Sequence, residues 1–368
     1  MNRLKEVELV STGVYLPGEP VPFDKIEDVI GRLDQAPPRI QKMINKLRPT
    51  VKDLIGIEQC HFAVDKETKR IFENNTTMAT KAINKALEKA QLKTNDLDCM
   101  VIATPVPEQQ TPPLTTLVQE ALGIKHFAEI EIHSNCTGLT KAFQVAYDML
   151  RLGRYKQAVV VYTQLSSPYL VSSYYNQSKV GMENILLRWF LSDSASAVIL
   201  RAKDKVKSGI KVLDSYNESV GGDVPPAMWL KFGAKHWDLL RAYEEGLHHL
   251  GQNYKTVTEI GYKYLVDGFK RMTDRIKLDM TTINHLLATI PSTKLQNTGK
   301  QAFQEQFSIS YDKWYSNIDK KGYSGGSSVA IALDQMIDEK KFKPDELLVA
   351  MTIESSKWMF GGFILKYL

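Results

Sequence analysis

The chain has 368 residues, 43% hydrophobic and 24% charged, and Lys and Arg exceed Asp and Glu by 47 to 42 for a net charge of +5. That length is more than one small core can fill, the ordinary composition excludes a disordered chain, and so mild a charge excess lacks the concentrated basic stripe of a nucleic-acid binder. Three cysteines at unrelated spacings, Cys60, Cys99 and Cys136, argue against a disulfide framework or a zinc site, and no run reaches the ~20 apolar residues of a membrane span.

From the N-terminus, MNRLKEVELVSTGVYLP reads as a short strand in place of a signal-peptide core, so a cytoplasmic protein is expected. Residues 39–48 read as a helix whose Lys42, Lys46 and Arg48 are candidates to contact phosphates. β-like runs at 101–104, 158–163, 197–200, 285–288 and 347–352 then alternate with amphipathic helical stretches, the pattern of an α/β fold. In IEIHSNCTGLTKAF a β-like run passes through a Cys-Thr-Gly turn into a helix. Cys136 therefore meets the free N–H groups of a first helical turn, a placement expected to favour its nucleophilic thiolate. Further along that helix lie Arg151, Arg154 and Lys156, a second candidate phosphate contact. Residues 216–250, rich in Gly, Pro, Trp and His, read as an irregular insertion at the mouth of a pocket, with Trp229, His236 and Trp237 as lining candidates.

The chain also repeats itself. The order strand, Ala-Thr, Pro-containing loop, helix occurs in DCMVIATPVPEQQTPPLTTLVQEALGI (98–124) and again in INHLLATIPSTKLQNTGKQAFQEQFSI (283–309). CTGLTKAFQVAYDMLRLGRYK, from Cys136, aligns without a gap on YSGGSSVAIALDQMIDEKKFK, from Tyr323. Two halves are expected, 1–205 with Cys136 and 206–368 with the insertion, bringing the starts of both helices and the loops after Thr104 and Thr289 to one centre.

VSTGVYLPGEPVP, SNCTG, FLSDSASAVIL and ESSKWMFGGFILKY resemble, taken together, the thiolase superfamily and within it the ketoacyl-ACP synthase III type of condensing enzyme. The resemblance spans nearly the whole chain. It implies a duplicated five-layered αβαβα fold, a homodimer or a heterodimer with a related subunit, and an acyl-CoA or acyl-carrier-protein donor whose acyl group passes to Cys136. It also implies an oxyanion hole from the backbone N–H groups of Cys136 and Ser356. Where the family has its His and Asn, this sequence has Thr289 and Tyr323, which disfavours decarboxylative chain initiation. An acyl transfer to an amine, alcohol or carbon nucleophile is expected, in secondary or fatty-acid and polyketide metabolism. Carbon–carbon condensation and a non-catalytic subunit role are the alternatives. His285, Glu354 and Glu108 are candidate bases. No phosphate loop, dinucleotide fingerprint or metal-ligand constellation is present, so no tightly bound cofactor or metal is expected beyond a coenzyme A or phosphopantetheine thioester as substrate.

Overall fold

The computed structural model describes residues 4–368. Nine strands form one sheet: β1 (Glu6–Tyr15), β2 (Cys99–Thr104), β3 (Ala128–His133), β4 (Gln157–Gln164), β5 (Ser194–Lys203), β6 (Ile210–Ser219), β7 (His285–Ala288), β8 (Leu347–Glu354) and β9 (Met359–Tyr367). The helices that matter are α1 (Pro38–Ile55), α2 (Asn75–Ala90), α3 (Leu114–Ala121), α4 (Gly138–Arg151), α5 (Tyr254–Arg275), α6 (Thr293–Phe307) and α7 (Ser327–Asp338). The expected strands are all present within a few residues.

Strand order across the sheet is β7-β8-β9-β6-β1-β5-β4-β2-β3. Outward from β1, β5 and β4 run antiparallel to their neighbours, and β2 and β3 add in parallel. Outward from β6 the same series recurs: β9 and β8 antiparallel, then β7 in parallel. A single parallel bridge from Leu286 to Trp314 stands where the second series would have its fifth strand. The two series join where β1 pairs antiparallel with β6, Val7 opposite Val212, and residues 204–209 connect β5 to β6. β2 (CMVIAT) and β4 (QAVVVYTQ) are buried along their whole length, which explains their unbroken apolar runs: both faces of these strands are covered by helices.

Helices make the layers. α4 rests on β2 and β4 with one side and on β6 and β9 with the other, and α7 lies against β1, β5 and β7. Their apolar positions at helical spacing, Leu139, Ala142, Phe143, Ala146 and Leu150 on α4 and Val329, Leu333 and Met336 on α7, fill this middle layer, where Phe143 stacks on Phe363 at 4.2 Å. Outside it, Ala79, Ile83 and Val118 from α2 and α3 cover Ile102, Val161 and Ile199. On the opposite outer face Phe269 and Phe303 of α5 and α6 cover Val349 and Ile364. The result is the five-layered αβαβα arrangement.

Two local expectations shift. α4 starts at Gly138 but α7 only at Ser327, two residues later than the gapless alignment places it, because Gly325 turns with φ +53° and Gly326 caps the helix. The insertion begins after Ser219, since β6 runs through residues 216–219. Its first half folds back as the two-residue strand Met228–Trp229, paired with Gly251–Gln252. A further apolar cluster, built from α1 (Ile44, Val51, Ile55) and residues 170–191, roofs the region where α4 begins.

Candidate active site

The start of α4 opens into a cavity of about 810 Å³, within the range of small-molecule sites. Much of its wall is apolar: Leu165, Leu187, Phe190 and Leu191 on one side, and Met228, Trp229, Leu230 and Phe232 from the insertion on another. Cys136, Tyr323, Thr289, Glu354 and Ser356 all line it, so five positions from distant parts of the sequence meet at one place.

Each is fixed by the fold. Cys136 occupies the turn between β3 and α4. Gly138, the first helical residue, allows close approach to β4: a Cβ there would lie 2.8 Å from the Tyr162 ring. Tyr323 is held by its backbone, its N–H donating to Phe190 O (3.2 Å) and its carbonyl accepting from Ser192 N (2.9 Å). Its phenol is thereby aimed at the nucleophile, and Tyr323 Oη donates to Cys136 Sγ at 3.1 Å.

Glu354, the last residue of β8, is 2% exposed and reaches across to the opposite half. Its Oε2 accepts from Thr137 N (3.0 Å), Thr137 Oγ1 (2.6 Å) and Ser134 Oγ (2.9 Å), while Oε1 accepts from Ser356 Oγ. Thr137, at the N-cap, makes no side-chain cap bond of its own to the first turn of α4. A carboxylate from the other half thus caps the nucleophile turn, satisfying an N–H that would otherwise be buried without a partner and complementing the positive end of the helix. With a single donor on Oε1, that oxygen keeps a free acceptor position.

The expectation of a ready thiolate is overturned. Burial in the cavity is the larger cause and the Glu354 charge the next, and together they push the Cys136 thiol up to about 12, against the lowering effects of the Tyr323 hydroxyl and of a backbone N–H. The resting group is a thiol. Cys60 and Cys99 are raised as well, chiefly by burial, and are fully buried in strand or connecting segments.

The remaining candidates fall in different places. Thr289 is fully buried, and its hydroxyl oxygen accepts from Ile353 N at 3.1 Å, leaving its own O–H to donate. His285 begins β7, three residues before the strand's cavity end, and its Nε2 bonds Glu346 Oε2 at 2.8 Å beside the Phe342 ring. It does not line the cavity. Glu108 does, but its Oε2 accepts from Thr76 N and Thr76 Oγ1, where it serves the start of α2. The only imidazole lining the cavity among the described residues is that of His133, with Nε2 2.9 Å from Pro105 O.

The expected phosphate contacts are not at the cavity wall. Arg151 ends α4, fifteen residues after Cys136 and at the far end of a helix about 20 Å long, over the Tyr147 ring. Arg48 is paired with Glu27 at 2.7 Å, and Lys42 lies exposed on α1; neither lines the cavity. Of the aromatic insertion residues Trp229 lines it, whereas Trp237 is 79% exposed.

Two contributions were not anticipated. Asp193, fully buried, accepts from Ala63 N (2.8 Å), Ser166 N (2.6 Å), Ser167 N (3.0 Å) and the Ser167 hydroxyl. It ties the strand bearing FLSDSASAVIL to the loop after β4 that forms one cavity wall, and burial holds its carboxyl up at about 6. Lys141, in the first turn of α4, is the only lysine or arginine among the described residues lining the cavity. No His/Cys/Asp/Glu cluster suited to a metal ion occurs among the described residues, and no helix there is long and apolar enough to cross a membrane.

Comparison with known proteins agrees with this geometry. Residues 130–221, from β3 through β6 and including Cys136, match the family model for 3-oxoacyl-[acyl-carrier-protein] synthase III. The beta-ketoacyl-[acyl-carrier-protein] synthase III of Clostridium acetobutylicum is 22% identical over 373 residues, covering 99% of each chain. That of Caldanaerobacter subterraneus subsp. tengcongensis is 24% identical and covers 93% of this chain and 92% of its own. Among solved structures, the tetronic acid condensing enzyme AbyA1 superposes with a TM-score of 0.81 at 19% identity, covering 98% of this chain and 99% of its own. The 3-oxoacyl-[acyl-carrier-protein] synthase III of Aquifex aeolicus gives 0.75 at 19% identity, covering 98% of this chain and all of its own. These structural likenesses establish a shared fold.

Proposed function

We propose that this chain, a ketoacyl synthase III-like enzyme of the thiolase superfamily, works by carrying an acyl group as a thioester on Cys136 and passing it to an acceptor. The observation that carries this reading is the pairing of Cys136 Sγ with the Tyr323 hydroxyl at 3.1 Å, at the start of α4 and in a cavity with a large apolar wall.

The donor is an acyl-carrier protein, which the relatives' names carry, or an acyl-CoA bearing the same phosphopantetheine thioester. Attack requires the thiol to lose its proton inside the cavity. Glu354, whose Oε1 has a free acceptor position, takes that proton; His285 is elsewhere and Glu108 is occupied at α2. The Tyr323 hydroxyl donates to the sulfur as negative charge develops on it. The thioester carbonyl oxygen faces the backbone N–H groups of Cys136 and Ser356. The C–S bond of the donor breaks, the departing thiolate takes the proton from Glu354, and the acyl group remains on Cys136.

The positions corresponding to the family's His and Asn hold a Thr whose oxygen serves Ile353 and a Tyr whose hydroxyl serves the sulfur. Neither supplies an imidazole to an enolate, which favours transfer to an existing nucleophile over decarboxylative condensation. The two halves, 1–205 and 206–368, divide the work: the first supplies the nucleophile, the second Glu354, Tyr323 and the insertion wall. The test is release of free coenzyme A thiol on mixing with an acyl-CoA panel. A burst of about one equivalent per chain that vanishes in Cys136→Ala supports the reading. Release that persists in Cys136→Ala sinks it.

A further inference from the structure

The cation lining the cavity has no anion. Lys141 Nζ donates to Ser134 Oγ at 2.8 Å and meets Met359 Sδ at 3.0 Å, a hydroxyl and a thioether, and no carboxylate lies within ion-pair distance. Glu354 is reached only through Ser134, and the carboxylate's charge is already shared among four donors. An ammonium with only neutral partners, beside a reacting thiol, is a site for substrate charge.

A second wall points the same way. Gln252 is 5% exposed and lines the same cavity, yet its amide makes only one contact, Nε2 to Ser355 Oγ at the limiting distance of 3.5 Å, and its Oε1 has no partner. Whichever way the amide is turned, one of its ends is buried and unpaired in the protein alone. Ser355 follows Glu354 directly, so the unpaired amide neighbours the turn that holds Cys136.

Position decides which anion fits. Lys141 is in the first turn of α4 and joins the Cys136 turn through Ser134, Glu354 and Thr137. The phosphates of coenzyme A or of a carrier's phosphopantetheine stand a whole pantetheine arm, two amides and several methylenes, away from the thioester that must sit at the sulfur. Lys141 is one hydrogen bond from Ser134, two residues before Cys136, which places it nearer the sulfur end of that arm than its phosphate end. It suits an anion only a few bonds from the reacting atom.

Resting on the acyl-thioester reading above, we propose that the acceptor is a small carboxylate-bearing nucleophile, an amino or hydroxy acid, whose carboxylate binds Lys141 while its amine or hydroxyl attacks the acyl group on Cys136. Gln252 supplies a polar partner for the same molecule. The new bond forms between the acceptor's nitrogen or oxygen and the acyl carbon, the bond from that carbon to Cys136 Sγ breaks, and the acceptor's proton ends on the sulfur. The carboxylate stays in the product, and no carbon dioxide is released.

The experiment starts from the full-length protein loaded with an acyl group from acyl-CoA and freed of excess donor. Matched probes are then added: glycine against methylamine, L-serine against ethanolamine, and 3-hydroxypropanoate against 1-propanol, with malonyl-CoA as a separate arm. Deacylation and product mass are followed. The carboxylated members should discharge the acyl-enzyme about tenfold or more faster than their carboxylate-free twins. Lys141→Met should erase that preference through a raised acceptor KM, and Lys141→Arg should restore most of it. Equal rates within every pair, or a preference that survives Lys141→Met, overturns the proposal. Discharge by malonyl-CoA alone, with loss of carbon dioxide, also overturns it. Failure to load any acyl group on Cys136 would instead remove the reading on which it rests.

Discussion

Replacing Glu354 by Gln separates the two things its carboxylate does. The side chain keeps its shape: an amide carbonyl can take the place of Oε2 and still accept from Thr137 and Ser134, and the amide NH2 can donate to Ser356 Oγ, so the capped turn should fold. What disappears is a negative charge beside Cys136. With the thiol pushed up to about 12 by burial and by that charge, only about one molecule in ten thousand is a thiolate at pH 8. A like charge close by moves a pKa by about one unit or more, and one unit is a tenfold change in thiolate. Burial, the larger cause, is untouched, so the thiol of Glu354→Gln should remain above its ordinary value while alkylating about tenfold faster. Acyl loading from acyl-CoA should fall in the same variant, because the proton acceptor is gone. The assay is iodoacetamide modification of Cys136 between pH 7 and 10, followed by peptide mass, alongside coenzyme A release. Faster alkylation with slower loading is expected. Alkylation that is unchanged or slower would refute the electrostatic reasoning, and loading that keeps its rate would refute the role of Glu354 as base.

Tyr323→Phe removes the hydroxyl that donates to Cys136 Sγ and leaves the backbone bonds to Phe190 and Ser192 intact. Its fold should survive while alkylation and loading slow by roughly tenfold, the worth of one hydrogen bond to a charged atom; equal rates would mean the contact is packing. His285→Ala breaks a partly exposed pair with Glu346 and should cost at most about 1 kcal/mol of stability by urea unfolding, with acyl loading unchanged. Lost loading in a folded His285→Ala protein would place the base elsewhere than proposed. His249 is held down to about 4 by burial and then by neighbouring His248, and its Nε2 accepts from Asn176 N. The unfolded chain, with its ordinary imidazole, binds the proton first, so stability is intact above about pH 6.5 and falls as pH drops toward 4. The melting temperature of His249→Gln should decline less over that window than the parent's, and parallel curves would count against the assignment.

Local pattern was enough for the parts of the fold and site that depend on near neighbours. The apolar runs of β2 and β4, the Cys136 turn into α4 and the echo of the first half in the second all show in the text, because period, glycine placement and repeat are properties of contiguous residues. Roles set by direction and distance did not show. Arg151 belongs to the helix that Cys136 opens onto, yet a helix of that length carries it to the far end, and His285 belongs to the right strand but its wrong end. The state of the thiol was misjudged for a related reason: the helix start was visible, but the opposing carboxylate comes from a residue 218 positions later, at the end of β8. Lys141, one of many lysines in the sequence, becomes distinctive only when its neighbours prove to be a hydroxyl and a thioether.

The most direct test of the chemistry is to mix the purified protein and its Cys136→Ala variant with a panel of acyl-CoAs and acyl-carrier proteins and to locate any adduct by intact and peptide mass. An acyl increment on the peptide containing Cys136, labile to hydroxylamine and absent from the variant, is the expected result. A folded protein that gains no adduct from any donor, or gains it equally in Cys136→Ala, would contradict an acyl-enzyme on this residue.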